Sequence, residues 1–204
     1  MFERQSALAS TLASSGCDRA DGTSRLRIGE VRGWNLVQIA AFATTLTDLE
    51  SAVWPVLNAD LPKSIGEVVS VEGRHLVKTG PEQYWIFTAG GDEYSRKLEA
   101  AVAPGIGAVT PLSHSRTCIS IEGADAREVL MKGIALDLHP EVFALNRFAL
   151  TGLHHTPILI HRSGEMRYEL YAMRTFALSV WEWLTDAALP LGDHVIGSAE
   201  PRSS

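Results

Sequence analysis

Residues 156–188 read TPILIHRSGEMRYELYAMRTFALSVWEWLTDAA, and this run decides the fold class. Two apolar-rich segments, 156–161 and 166–173, flank Arg162-Ser163-Gly164-Glu165, a polar, glycine-bearing stretch of the kind that turns a hairpin. In the second segment Met166, Tyr168, Leu170 and Ala172 alternate with Arg167, Glu169, Tyr171 and Met173. Successive side chains of a strand point to opposite faces, so the alternation predicts a half-buried strand. The period then changes. Over 175–188, Val180 and Leu184 lie opposite Ser179, Glu182 and Asp186, which predicts the strongest helix of the chain.

Upstream of the hairpin, 116–121 is a strand with Thr117, Ile119 and Ile121 on one face. Gly123-Ala124-Asp125-Ala126 opens a helix that carries Val129 and Leu130 and stops at Gly133. The stretch 134–153 holds a turn near His139-Pro140 and an added strand at 148–152. The same order occurs earlier in the chain. A strand at 34–42 places Val37, Ile39 and Ala41 on one face, and Thr47-Asp48-Leu49-Glu50 matches the capping box of a helix start. Pro55 predicts that this helix is short or kinked, because proline lacks the donor and crowds the turn before it. Segments 74–78 and 83–88 form a hairpin across Thr79-Gly80-Pro81-Glu82. Asp92 opens a second helix striped by Tyr94, Leu98, Ala101 and Val102, ended by Pro104 and Gly105.

Each half therefore reads strand, helix, strand, hairpin, strand, helix. That order predicts an α+β body of two fused β-α-β-β-α(-β) halves, with mainly antiparallel sheets and helices on one side. The halves span 25–111 and 112–196. Residues 1–24, rich in Ala, Ser, Gly and Asp, bury too little to hold a fold alone and read as an arm ordered by a partner. Residues 197–204 read as a flexible tail.

The net charge of −6, with no dense Lys/Arg cluster, argues against a nucleic-acid footprint. No window approaches 18 uncharged apolar residues and the N-terminus has no apolar leader core, so the expected location is the cytoplasm. Cys17 and Cys118, far apart, read as reduced thiols.

Chemistry-bearing patterns are sparse. His154 and His155 are adjacent, so on a strand they point to opposite faces and cannot jointly chelate an ion with His161. Ser113-His114-Ser115 lacks the glycine elbow and the placed acid of a nucleophile site. A phosphate at Gly90-Gly91 would meet Asp92 and Glu93, and Gly105-Ile106-Gly107 follows a helix, so both are turns. No catalytic, cofactor-binding or metal residue is expected.

The tryptophans carry more information. Trp181 and Trp183 fall on the two flanks of the last helix, widening its apolar stripe beyond what one sheet needs. Either they rim the core or another protein covers one flank, since Trp is enriched at interfaces. Trp34 and Trp54 pose the same question, and His114 and Arg116 join them as interface candidates.

Several runs together resemble the gamma subunit of heterotetrameric sarcosine oxidase. The first is Leu112-Ser113-His114-Ser115-Arg116-Thr117, continuing through Ile119-Ser120-Ile121-Glu122-Gly123-Ala124-Asp125-Ala126 to Leu136-Asp137-Leu138-His139-Pro140. Others are Gly80-Pro81-Glu82-Gln83-Tyr84-Trp85-Ile86, and Pro157-Ile158-Leu159-Ile160-His161-Arg162 with Tyr168-Glu169-Leu170-Tyr171. Arg174-Thr175-Phe176-Ala177, Trp181-Glu182-Trp183-Leu184 and the opening Arg4-Gln5-Ser6-Ala7-Leu8-Ala9 belong to the same likeness. More distantly the runs are similar to the folate-binding domain of glycine-cleavage aminomethyltransferase, itself built from paired β-α-β-β-α-β units, although no carboxylate here matches that family's catalytic acid.

The resemblance implies a complex with alpha, beta and delta subunits. That complex oxidises sarcosine to glycine, forms hydrogen peroxide and passes the one-carbon unit to tetrahydrofolate. FAD, FMN, NAD and tetrahydrofolate would sit in the partner subunits, and this chain would support the largest of them. The alternatives are a stand-alone tetrahydrofolate-binding protein and the equivalent subunit of a related N-methyl amino acid dehydrogenase, such as one for N-methylglutamate.

Overall fold

The computed structural model describes residues 5–14, 25–89, 92–191 and 194–199. The elements run α1 (Ala9–Ser14), β1 (Leu26–Val31), β2 (Trp34–Ala41), α2 (Leu46–Leu57), β3 (Val68–Val71), β4 (Arg74–Gly80) and β5 (Gln83–Ala89). They continue with α3 (Glu93–Ala101), β6 (Gly107–Pro111), β7 (Arg116–Glu122), α4 (Ala126–Met131) and β8 (Phe148–Leu153). The last four are β9 (Thr156–His161), β10 (Arg167–Met173), α5 (Ala177–Ala188) and β11 (His194–Ala199). Contacts divide the chain into two units, with breaks between Arg32 and Gly33 and between Ser113 and His114.

The inserted unit, Gly33–Ser113, has a five-stranded sheet in the order β3-β4-β5-β2-β6, antiparallel throughout. Val37 sits opposite Ile86, and Ile86 opposite Leu76, so one face is an apolar row across three strands. Leu49, Val53 and Leu57 of α2, four residues apart, and Leu98 of α3 cover that row. The helix at α2 begins at Leu46, one residue before the expected capping box. Thr47 therefore lies within the first turn and gives no cap. Thr45 precedes the helix instead, with its Oγ1 on the carbonyls of Phe42 and Ile106. Pro55 does not cut the helix short, because only two residues follow it before Asn58 ends the helix in the left-handed conformation (φ 54°). Strand β3 has no counterpart in the sequence reading. Its four residues, all on an edge, are too few to show a period.

The split unit holds a six-stranded sheet in the order β11-β1-β7-β10-β9-β8, antiparallel except for the parallel pair of β1 with β11. Ile28, Ile119, Ile121, Leu170 and Ile160 line one face, against Val129 and Leu130 of α4 and Val180, Trp181 and Leu184 of α5. Gly123 links β7 to α4 at φ +124°, where a Cβ would stand 2.2 Å from the carbonyl oxygen of Arg25.

Three boundaries differ from the sequence expectation. β1 falls within 25–111 but pairs with β7, Ile28 opposite Ile121. Residues 197–199, expected in the tail, belong to β11. Residues 5–14, expected in a partner-ordered arm, pack on their own unit, with Leu8 fully buried in the core. Strand pairing between distant segments uses main-chain groups, which every residue carries, so composition gives no warning of it. The rest of the arm (1–4 and 15–24, with Cys17), the rest of the tail (200–204) and Gly90-Gly91 lie outside the described residues.

Gly123→Ala is expected to destabilise the chain by on the order of 3 kcal/mol, from left-handed strain plus backbone overlap. Gly105→Ala, where a Cβ meets nothing within 4 Å, is expected to change stability by no more than about 0.5 kcal/mol. Urea unfolding of both variants checks the contrast.

Candidate functional site

The face of the split unit's sheet turned away from α4 and α5 is also buried, and it is polar. Register sets side chains in a row across it: Phe148 pairs with His161, His161 with Glu169, and Glu169 with Ser120, which pairs with Gly29. Glu169 sits near the middle, on β10. Its Oε2 accepts from Tyr171 Oη at 2.8 Å and its Oε1 from Arg167 Nη2 at 3.1 Å. His161 Nδ1 stands 3.7 Å from Oε2. The imidazole is held from two other sides. Phe148 stacks on it at 3.9 Å with planes 4° apart, and Nε2 lies 3.3 Å from Asn146 Oδ1. Arg167 also reaches Glu122 Oε2 at 3.7 Å, and Ser120 Oγ donates to the Gly29 carbonyl at 3.3 Å.

Burial alone would raise the Glu169 carboxyl, but the contacts with His161, Tyr171 and Arg167 outweigh it and bring the pKa down to about 2. Tyr171 moves the other way. Burial, then Cys118 and Glu169, push its phenol well above the ordinary value. Glu169 is thus held as an anion and Tyr171 as a donor to it. Neither is matched to proton transfer near neutral pH, which needs a pKa close to the working pH. The row suits a different task, which is to link neighbouring strands through one buried charge held by Arg167, Tyr171 and His161.

The residues singled out from sequence scatter. Trp181 is 2% exposed in the core, and Trp183 is half-buried against it, so close to Gly133 that a Cβ there would stand 2.3 Å from the ring. Trp34 is buried, its ring 6.5 Å from that of Phe87. Trp54, on α2, is 50% exposed. His114 is exposed in a single 3-10 turn, Ser113–Ser115, and Arg116 is half-buried beside it with Nη1 on the Ser115 hydroxyl at 3.2 Å. Ser113 is no nucleophile in waiting, because its hydroxyl takes the Leu36 N–H at 2.9 Å and turns back to the Leu36 carbonyl. His154 and His155 lie in the β8–β9 turn and not on a strand. Their ring centroids are 3.9 Å apart, with His154 at φ 52°. Among the described residues no three His, Cys, Asp or Glu side chains gather as a metal site requires.

Sequence reasoning missed the Glu169 row. Arg167, Glu169 and Tyr171 occupy the positions of β10 that the alternation assigns to water, yet Glu169 and Tyr171 are buried. The available signal was Tyr171, an aromatic residue on the supposed wet face.

Residues 35–189, more than half of the chain, match the sarcosine oxidase, gamma subunit family. The chain belongs to this family. Within it, the sarcosine oxidase subunit gamma of Corynebacterium sp. (strain P-1) is 32% identical over 138 residues, covering 67% of this chain and 68% of that protein. The subunit gamma of an Arthrobacter species matches to the same extent. Among solved structures, a chain of the heterotetrameric sarcosine oxidase from Corynebacterium sp. U-96, in complex with pyrrole 2-carboxylate, is similar with a TM-score of 0.82. The two are 26% identical, over 98% of this chain and 99% of that one. The gamma-subunit fold also matches glycine cleavage system aminomethyltransferase T from Bartonella henselae, TM-score 0.61 at 15% identity, over 85% of this chain and 48% of that protein. The α+β fold read from the two halves is the fold of these proteins.

For this gamma-family chain the Glu169 pKa carries a stability consequence. A carboxyl moved from 4.5 to about 2 contributes stability that is fully present above pH 4.5 and lost as pH falls towards 2. The amount at stake is on the order of 3 kcal/mol. Glu169→Gln is expected to remove most of that acid-limb slope. Thermal melts of both proteins from pH 7 to pH 2.5 measure it, and parallel curves would contradict the assignment.

Proposed function

We propose that this chain is the gamma subunit of a heterotetrameric sarcosine oxidase, supporting the large subunit and performing no chemistry alone. The observation that carries the proposal is the similarity, over nearly the full length of both chains, to a chain of that heterotetramer. The chemistry of the buried polar row agrees with it. Glu169 is engaged by Arg167, Tyr171 and His161, contacts that hold strands together.

On this proposal the partners are alpha, beta and delta subunits, and FAD, FMN, NAD and tetrahydrofolate reside in them. The complex would oxidise sarcosine to glycine with hydrogen peroxide and methylene-tetrahydrofolate as further products. The choice between sarcosine and another N-methyl amino acid would then also rest with the partners. A cytoplasmic location completes the proposal. Among the described residues no helix is long and apolar enough to cross a membrane.

The competing proposal, a stand-alone folate protein, draws only on fold similarity to the aminomethyltransferase. A pterin's N–H groups need a carboxylate with free lone pairs. Glu169, the buried acid of the polar row, already accepts from Arg167 and Tyr171 beside an imidazole, so a pterin would have to share it with these neighbours.

The surface offered to partners is narrower than the tryptophans suggested. Trp54 and His114 are exposed, Trp183 and Arg116 partly so, while Trp181 and Trp34 support the fold from within. Trp54 is the strongest anchor of this set, since large aromatic residues dominate interface energetics.

Expressed with its three partners, the chain is expected to co-purify with them, and its omission to abolish assembly. Normal assembly and sarcosine turnover without it would refute the support role. Trp54→Ala is expected to weaken association by roughly thirtyfold while leaving the chain's own melting temperature nearly unchanged. Trp181→Ala should instead cost the isolated chain about 3–5 kcal/mol. Tetrahydrofolate titrated into the isolated chain should give no binding heat.

A further inference from the structure

Residues 5–14 lie on the split unit in a way that a short peptide lies on a receptor. The body supplies three groups and the segment supplies what each one needs. Arg174, in the single turn before α5, donates from Nη1 to the main-chain carbonyl of Gln5 at 2.6 Å. Glu30, on β1, is 5% exposed on the apolar, helix-covered face, opposite Ile119. It accepts from the Ser6 hydroxyl at 2.5 Å and from Arg32 Nε at 3.0 Å. The third group is a slot in the core, which Leu8 fills completely, with Ala7 and Leu12 partly buried beside it.

Arg32 gives Glu30 one donor from the same strand end, and the segment supplies a second. A carboxylate among Ile28, Ile119 and Ile121 is costly to bury unless donors reach it, and Ser6 brings one from outside the sheet. The segment's own order is local and weak. Ser6 Oγ takes the Leu8 N–H at 2.9 Å, and α1 that follows has six residues, too few to persist as a free helix. An element of that kind, docked through Leu8 with Ala7 and Leu12 beside it and through two polar anchors, is the sort that can open locally without the rest of the unit.

We propose that Glu30, Arg174 and the Leu8 slot form a peptide-docking site that recognises a hydroxyl-x-leucine segment, and that residues 5–14 are its resident, exchangeable occupant. The tether gives the resident copy a high effective concentration, so the site is closed to free peptide in the native chain. It opens when the resident leucine is made unable to dock.

The experiment uses the full chain and a fluorescein-labelled peptide, QSALASTLAS, corresponding to residues 5–14. Fluorescence anisotropy is expected to show binding to the Leu8→Asp chain at least tenfold tighter than to the native chain. The peptide carrying the same Leu8→Asp change should bind neither. Adding Glu30→Gln to the Leu8→Asp chain should weaken binding by about tenfold, the loss of one charged hydrogen bond. Equal binding to native and Leu8→Asp chains overturns the proposal. So does no binding to a Leu8→Asp chain that still melts cooperatively. If that variant fails to fold, hydrogen exchange on the Ser6→Ala chain decides. Exchange at least fivefold faster within residues 5–14, with β7 and β10 unchanged, supports an exchangeable occupant. Unchanged exchange, or acceleration spread through the whole unit, refutes it.

Discussion

β10 is buried on both faces, and most of what surrounds it follows from that. Tyr168, Leu170 and Ala172 point into the helix-covered core, which the hydrophobic effect fills without further conditions. Glu169 and Tyr171 point the other way, and a buried carboxylate sets strict conditions. It has to find donors from groups already fixed by the sheet, or it would take up a proton and lose its charge. Register supplies them. Tyr171 and Arg167 are two residues away along the same strand, and His161 is directly opposite on β9. Slipping β9 by one residue would turn His161 to the helix face and strand the charge, so the ion cluster specifies the pairing as well as stabilising it. That is a use of a buried ion cluster for which net stability alone gives little reason.

The same contacts also set the charge states of the row. Enzymes keep reactive acids and bases half-satisfied, with pKa values near the working pH. Here the acid is driven to about 2 and the phenol well above its ordinary value. The groups that shift them, His161, Tyr171, Arg167 and Cys118, belong to the same sheet. Membership of the sarcosine oxidase gamma family is in keeping with such a chain. The polar row braces one face of β10, and α4 and α5 cover the other. The N-terminal segment adds a contrast, since it is short and docks chiefly through Leu8 and two polar anchors.

Much of the fold was legible in the order of the residues. The hairpins at Arg74–Gly80 with Gln83–Ala89 and at Thr156–His161 with Arg167–Met173 announce themselves through turn residues between alternating runs. α5 does so through its period, with Val180 and Leu184 inward as expected. The capping box at Thr47 was misleading, because a local motif competes with tertiary contacts. Thr45 found the carbonyls of Phe42 and Ile106 and moved the helix start. The alternation in β10 was a correct periodicity with an incorrect conclusion, since it separates two faces without saying that both are covered.

Sequence by itself determined the α+β class, the two repeated halves, the main strands and helices, and the family likeness. These depend on local periodicity, turn chemistry and composition, all of which are written in neighbouring residues. Only tertiary structure decided that β1 leaves its own half for β7, that β11 joins it in parallel, that Trp181 is core and Trp54 surface, and that Glu169 is buried. Each of these depends on which distant segments meet. The groups that meet there, main-chain amides and side chains at even spacing, look the same in sequence whether they face solvent or protein.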